Sequence, residues 1–484
     1  MSDVNASDLT EINTADDVFD LYRGSGDQAK AGIEVEMAYL DPKSDDLAVM
    51  SLEQNRTLVD DVRAQISGDN WLHNEPTSEL LEVASGAHRF TNAKAVLDDT
   101  NTKIKTVSAQ AAKMGFQRSY FQELPERTAD DLLSRIVDVE RYKVMYAPYR
   151  EDMKKCVQYF AVCKSNQVSV SYYDMDHMLE NVRRLYMLAP FLFLLTDNSV
   201  GFSEGQPFAG NPAMTLRHEG LLEGRGGVLP YVFTAKSGEE LVAQHINHVL
   251  NNPLFMYYDR EGALTKVPSG DWGVTFNTLK ERGLNIASNY YLAQSLLWPD
   301  VKIAALKNAQ GGVYGHRYEA RMFGVGVHQH QTAFIATTAL AFHADFSAKV
   351  NVLLDKYGFS VDSLAQTYDL VRQSYKNARH HNGKFFDIAY GNGSMAEFAR
   401  EFADLIEEIL PEIGLEKEAQ PLLGICRSGC TDGKVNRSLF PTLPDILNQQ
   451  RNYDPAIFDD PNKSARDIYK KEMARINGGL CAAA

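Results

Sequence analysis

Several things are scarce in this chain, and each scarcity removes a class of protein. There are five cysteines in 484 residues, Cys156, Cys163, Cys426, Cys430 and Cys481. The set is odd and widely spaced, which suits a reducing compartment and excludes a disulfide framework. Cys426 and Cys430 have no second pair to complete a zinc site. Basic charge is in deficit, 49 Lys and Arg against 64 Asp and Glu for a net charge of −15. That argues against nucleic acid or an anionic membrane surface as the main partner, while a local group of cations can still receive an anionic substrate. The longest apolar run, Leu185 to Leu195, holds Pro190 and is too short to span a bilayer. The first residues, MSDVNASDLTEINTADD, are acidic without an apolar core, so no secretory signal is expected. Internal repeats and low-complexity tracts are missing, and the glycine-rich Gly224 to Gly227 lacks the spacing and Lys of a phosphate loop, so it is expected to serve turns. The terminal CAAA matches a prenylation box only formally, in a polar and non-basic tail. What remains is a cytoplasmic protein with small-molecule partners, no nucleic acid and no membrane.

The composition is that of an ordinary globular protein, 44% hydrophobic and 23% charged, and the length supports a large core. The expected sections are a flexible acidic lead-in over 1–28, a catalytic domain over 29–330 and a helical lobe over 331–484. The lobe is expected from amphipathic runs near 331–357, 361–378, 395–410 and 463–477. Helices are also expected from Ala87 to Lys113 and from Asp176 through Pro190 to Asp197–Asn198, with Pro190 kinking the second. A further strand is expected over Val228 to Phe233.

Chemistry gathers on strands of period two. In Ala31 to Pro42, AGIEVEMAYLDP, Glu34 and Glu36 share one face while Ile33, Val35 and Met37 share the other. Two carboxylates about 7 Å apart along a strand repel unless the face is wet or holds a cation. A solvent-facing edge strand is the plain alternative. Asn166 to Tyr173 places Gln167, Ser169 and Ser171 on one face, and Gly315 to Val325 does the same with Arg317, Glu319 and Arg321. Between them, Trp71 to Gly86 carries Glu75, Glu79 and Glu82 among apolar neighbours. If the strands form one sheet, its polar face is costly unless the charges are paired or hold metal. Carboxylates without His or Cys suit a hard divalent ion, Mg²⁺ or Mn²⁺, which also grips substrate phosphates. Arg321 beside Glu319 then offers a guanidinium fork to a phosphate.

GIEVE at Gly32, followed by the acidic stretch NEPTSELLEVASG at Asn74 to Gly86 and by YEAR at Tyr318, resembles the glutamate–cysteine ligases, carboxylate–amine ligases of the glutamine synthetase superfamily. The similarity runs over roughly 30 to 330 and is nearest to the plant and proteobacterial branch. RYKVMYAPY from Arg141, CKSNQVSVSY from Cys163, TDNSVGFSEGQPF and LRHEGLLEGRGGVLPYVF also follow that family's order. The resemblance implies an α+β fold, a curved antiparallel sheet flanked by helices. It implies ATP-dependent phosphorylation of the γ-carboxylate of glutamate, then attack by the amine of cysteine, a step of glutathione-type biosynthesis. By position, Glu34, Glu36, Glu75, Glu82 and Glu319 would hold the metal, with Glu34, Glu319 and Arg321 catalytic. Arg321 and Arg317 would meet ATP, and Arg217, Gln167 and Arg141 the substrates. For Arg217, a structural salt bridge is the equal alternative. Two departures fall on the substrate side: Met322, Phe323 and Gly324 follow Arg321 where the family has an Asp, and Ser169 stands where an Asn is usual. They leave open another amine acceptor, and a non-catalytic homologue is a further reading. The cysteines do not map onto the plant enzymes' redox disulfides. His328, His330 and His343 are expected to cap or pack rather than reach the site.

Overall fold

A computed structural model describes residues 8–24, 30–66, 71–146, 158–160, 162–220, 224–268, 270–307, 313–380, 388–453 and 455. The expected helix at 463–477, Cys156 and the terminal CAAA lie outside the described residues.

The alternating strands do form one antiparallel sheet. Its main strands are β1 (Lys30–Leu40), β2 (Leu72–Asn74), β3 (Leu80–Ala84), β4 (Asn166–Ser171), β5 (Val301–Lys307) and β6 (Val313–Phe323). They run in the open order β5-β6-β4-β1-β3-β2. Two-residue strands at His88–Arg89 and Gln117–Arg118 extend the pairing of β1 at its two ends. Period two decides the faces: Ile33, Val35 and Met37 on β1, Val168 and Val170 on β4 and Tyr318 and Ala320 on β6 are fully buried. The register stacks Ile33 against Val168, Val168 against Ala320 and Val170 against Tyr318, so the apolar face is continuous across three strands. Three helices lie against the sheet, α1 (Ala93–Lys113), α2 (Met175–Leu195) and α3 (Gln329–Phe342), the last two packed on this apolar face. The first of these lies beside β1 and β3.

Several expectations shift, for local reasons. The helix expected from Ala87 starts at Ala93, because His88–Arg89 pairs with β1 first. Pro190 lies inside α2, which runs as one helix to Leu195. The strand expected over Val228 to Phe233 is instead a 3₁₀ turn at Pro230–Phe233, where Pro230 has no N–H for a ladder; the pairing falls to Gly226–Gly227, parallel to Trp298–Pro299. The run expected to be amphipathic over 331–357 is two helices. Residues Gln329 to Ala341 of α3 are all buried, so this helix lies at the centre of the molecule. His343 ends it and caps α4 (Ala344–Lys356), its Nδ1 accepting from the N–H of Phe346 at 3.2 Å. Beyond lie α5 (Leu364–Arg379), α6 (Met395–Ile413) and three shorter helices at Gln420–Ser428, Asp432–Leu439 and Leu443–Asn452.

The C-terminal section is not held at arm's length. One apolar core includes side chains from Ile12 to Cys426. The last helices return to the sheet end, where Gln450 Oε1 accepts from the N–H of Tyr120 at 2.8 Å and Asn436 Nδ2 donates to Asn198 Oδ1 at 2.8 Å. Inside the expected flexible lead-in, residues 8–24 are packed: Tyr22 is fully buried and its Oη lies 2.7 Å from that of Tyr290. No helix among the described residues is long and apolar enough to cross a membrane.

Candidate active site

The second face of the sheet is polar from one side to the other. Cross-strand partners share a face, and the register pairs His73 with Glu82, Glu82 with Glu36, Glu34 with Gln167, Ser169 with Glu319 and Glu319 with Lys302. Acidic groups therefore collect over β2, β3 and β1, and basic groups over β6 and β5.

At the acidic end, carboxylate oxygens of Glu36, Glu75 and Glu82 all lie within 4.8 Å of one another. Glu75 follows β2, held by its N–H on the carbonyl of Leu80 at 3.3 Å. Both Glu75 and Glu82 are buried, at 7% and 1% exposure. Glu36 is oriented by two donors, the N–H of Ser165 at 2.6 Å and Gln167 Nε2 at 2.8 Å. Burial, and then the charge of Glu82, push Glu36 up to about 7. Burial with Glu82 and Glu319 beside it does the same to Glu34, and Glu75 lies well above the usual carboxylate range through burial, Glu82 and Glu36. Glu75 Oε1 has no hydrogen-bond partner, and neither Glu36 nor Glu75 has an ion-pair partner among the described residues. Buried carboxylates do not normally persist in that condition. Three all-oxygen donors, with Glu75 Oε1 still to be satisfied, fit a hard divalent cation, so these residues could hold Mg²⁺ or Mn²⁺. Glu79, the third acid of its stretch, is turned away and accepts from Thr77 Oγ1.

At the basic end, Arg321 Nη1 donates to Glu319 Oε1 and to Gln167 Oε1. Arg317 Nη2 reaches Glu319 Oε2 at 3.2 Å and lies 4.0 Å from Glu34 Oε1. Ser169 Oγ, in the place of the expected Asn, donates to Glu319 Oε2 at 3.3 Å. Burial resists charge on Glu319, but Arg321, Arg317 and Lys302 together hold it well below the usual range. Gln167 thus bridges the two ends, one amide atom on Glu36 and the other on Arg321.

Arg217 is engaged by the protein's own groups. Arg217 is 1% exposed, and its nitrogens are taken by Asp300 Oδ1 at 2.6 Å, Tyr159 Oη at 2.9 Å and the carbonyl of Pro299 at 2.8 Å. A guanidinium so engaged has no fork left for a carboxylate, so the salt-bridge alternative is the one seen. His328 and His330 bond Asp432 and Asn101, each at 2.9 Å, and His343 caps α4, so none of them joins the sheet face. After α2 a hairpin pairs Phe202–Ser203 with Gln206–Pro207, and further on Arg217 and His218 reach Asp300.

Lys302 is the site residue that reasoning from sequence missed. It is 8% exposed, directly opposite Glu319, and burial followed by the charge of Arg321 lowers it to about 7. The signal was in VKIAA, where Val301, Ile303 and Ala305 alternate with Lys302 and Ala304.

No family model matches the sequence, and no curated protein does. Solved structures similar to the chain include a bifunctional glutathione synthetase from Pasteurella multocida, 11% identical with a TM-score of 0.44 over 93% of this chain and 53% of that one. The chain thus spans about half the length of that protein. Another is the glutamate–cysteine ligase of Francisella tularensis in complex with AMP, 13% identical with a TM-score of 0.43 over 96% of both chains. A third is the complex between prokaryotic ubiquitin-like protein Pup and its ligase PafA, 10% identical with a TM-score of 0.31 over 94% and 70%. At such TM-scores the reading of the site rests on its own geometry.

Proposed function

We propose that the chain is an ATP-dependent carboxylate–amine ligase that phosphorylates the γ-carboxylate of glutamate and passes the acyl group to an amine, with cysteine as the first choice of acceptor. The observation that carries this reading is the segregation of charge on one buried sheet face: Glu36, Glu75 and Glu82 within 4.8 Å at one end, and Arg317 and Arg321 around Glu319 at the other. A divalent ion held by the acidic group would neutralise phosphate charge while a carboxylate approaches. The chain's own residues do the rest. Gln167 fixes the distance between the acidic cluster and Arg321, and Glu319 holds both guanidinium groups in place. Arg321 offers planar donors to phosphoryl oxygens, where positioning and charge neutralisation supply most of the catalysis. In the first step a γ-carboxylate oxygen attacks the terminal phosphorus and ADP leaves; in the second the amine attacks the acyl carbon and inorganic phosphate leaves.

A different acceptor for the same chemistry stays open, because Met322, Phe323 and Gly324 follow Arg321 where the resembled family carries an Asp. At Gly324 a Cβ would lie 2.3 Å from the carbonyl oxygen of Thr196 and 2.6 Å from Gln122 Oε1, so that position admits no side chain. The test traps the acyl phosphate without assuming the acceptor. Protein, ATP, Mg²⁺, glutamate and hydroxylamine should yield γ-glutamyl hydroxamate and ADP. A folded, metal-bearing protein that forms neither removes glutamate as the donor.

A further inference from the structure

We propose that Lys302, on strand β5, forms with Arg141, Arg317 and Arg321 an anion subsite at the basic end of the polar sheet face, taking a phosphoryl or carboxylate group of the substrates. The inference deepens the ligase reading and rests on it for the identity of the anion. Three observations converge on it.

The first is a charge imbalance. Glu319 lies among these cations, with Glu34 4.0 Å from Arg317 at the border of the acidic end, and Arg317 and Arg321 already engage Glu319. Lys302 lies opposite Glu319 in the register, yet has no hydrogen bond or ion pair among the described residues. The groups that act on its charge are Arg321, Glu319, Arg141 and Arg317, so it stands in a field of mostly like sign. A buried ammonium in such a field is costly without a counter-ion.

The second is a set of donors without acceptors. The Nε–H groups of Arg141, Arg317 and Arg321 are all buried, and all lack a hydrogen-bond partner among the described residues. A buried donor left unmade is costly, so three of them near one ammonium describe a place where acceptor oxygens are missing. A group with several anionic oxygens supplies them together.

The third is position. Gln167 ties this end to the acidic cluster through Arg321 and Glu36. An anion at Lys302 and a cation among Glu36, Glu75 and Glu82 would then neutralise opposite ends of one face, and each would favour the other's binding. Lys302 is a point charge on a flexible stem, so it can follow an oxygen that shifts as bonds change, while the arginine forks fix orientation.

The test is calorimetric titration of the full chain, in the presence of Mg²⁺, with inorganic pyrophosphate and separately with L-glutamate, for the wild type, Lys302→Met and Lys302→Arg. Thermal unfolding without ligand accompanies each. Lys302→Met should weaken one of the two ligands by about tenfold or more, the loss expected when a charged donor to an anion is removed. The ligand affected identifies the source, phosphoryl for pyrophosphate and carboxylate for glutamate. Lys302→Arg should keep most of that affinity, and the unliganded Tm of Lys302→Met should hold or rise because a like-charge contact has gone. A purely structural lysine would lower the Tm and leave the affinities alone. Affinities unchanged in Lys302→Met, a lowered Tm without rescue by Lys302→Arg, or a wild type that binds neither probe would each overturn the subsite. If hydroxamate never forms but pyrophosphate binding still depends on Lys302, the ligase reading fails and the subsite stands.

Discussion

Two buried polar networks meet near Arg321, and one is closed while the other is open. The closed network centres on Asp300, fully buried, whose carboxylate accepts from Arg217 Nε at 2.6 Å and Tyr375 Oη at 2.5 Å, with His218 Nε2 at ion-pair distance, 3.3 Å away. Arg217 spends its remaining nitrogens on Tyr159 and on the carbonyls of Trp298 and Pro299. Burial opposes charge on Asp300, but His218 and Arg217 hold it well below the usual carboxylate range. The open network is the sheet face, where Glu34, Glu36 and Glu75 are all raised and buried donors and acceptors stay unpartnered. Both lie in the interior, so burial alone does not mark a site. What marks it is an interior charge that the described residues leave unanswered.

The contrast breaks most visibly under substitution. Asp300→Ala should cost about 3–5 kcal/mol in chemical denaturation, because it strands the buried guanidinium of Arg217. Glu36→Gln or Glu75→Gln should do the opposite to the metal-free fold, leaving it as stable or more so. Their turnover, followed by ADP release, should fall by about a hundredfold or more. Loss of fold in the glutamine variants, or near-native turnover, would reverse the comparison.

The pH dependence of the metal-free protein sharpens it. Glu34 and Glu36 titrate near 4.5 when unfolded and are raised to about 7 when folded. Between those values the folded state binds more protons than the unfolded one, so stability falls as pH rises through that window. Urea midpoints with a chelator present should therefore drop from pH 5 to pH 7 in the wild type, and drop less in Glu34→Gln/Glu36→Gln. The smallest effect concerns Arg321→Lys, expected to lose about tenfold, mainly in kcat, as a point charge replaces a planar fork. An unchanged kcat would take Arg321 out of phosphoryl transfer.

The open network was the more legible of the two from sequence. Glu34, Glu36, Arg317, Glu319 and Arg321 announce themselves by period two, since a strand forces alternate residues to one face. Their company was harder to read. Arg217 finds Asp300 across 83 positions, a pairing no local pattern carries. Lys302 looks like an ordinary lysine until the register sets it against Glu319. The apolar face and the long helices followed from periodicity, whereas Val228 to Phe233 failed because Pro230 breaks a ladder that its β-branched neighbours suggest. The short helices at 420–452 were missed because each is only two or three turns long, and their packing against Arg118, Tyr120 and Asn198 is set by tertiary contacts.

The most direct measurement is a titration of the metal-free protein with Mn²⁺, followed by the electron paramagnetic resonance signal of the free ion. Saturable binding to the wild type is expected, weakened by about 10–100-fold in Glu75→Gln and unaltered in Glu79→Gln, whose carboxylate faces Thr77 instead. Binding that is absent from the wild type, or that survives Glu75→Gln unchanged, would contradict a divalent-ion site among Glu36, Glu75 and Glu82.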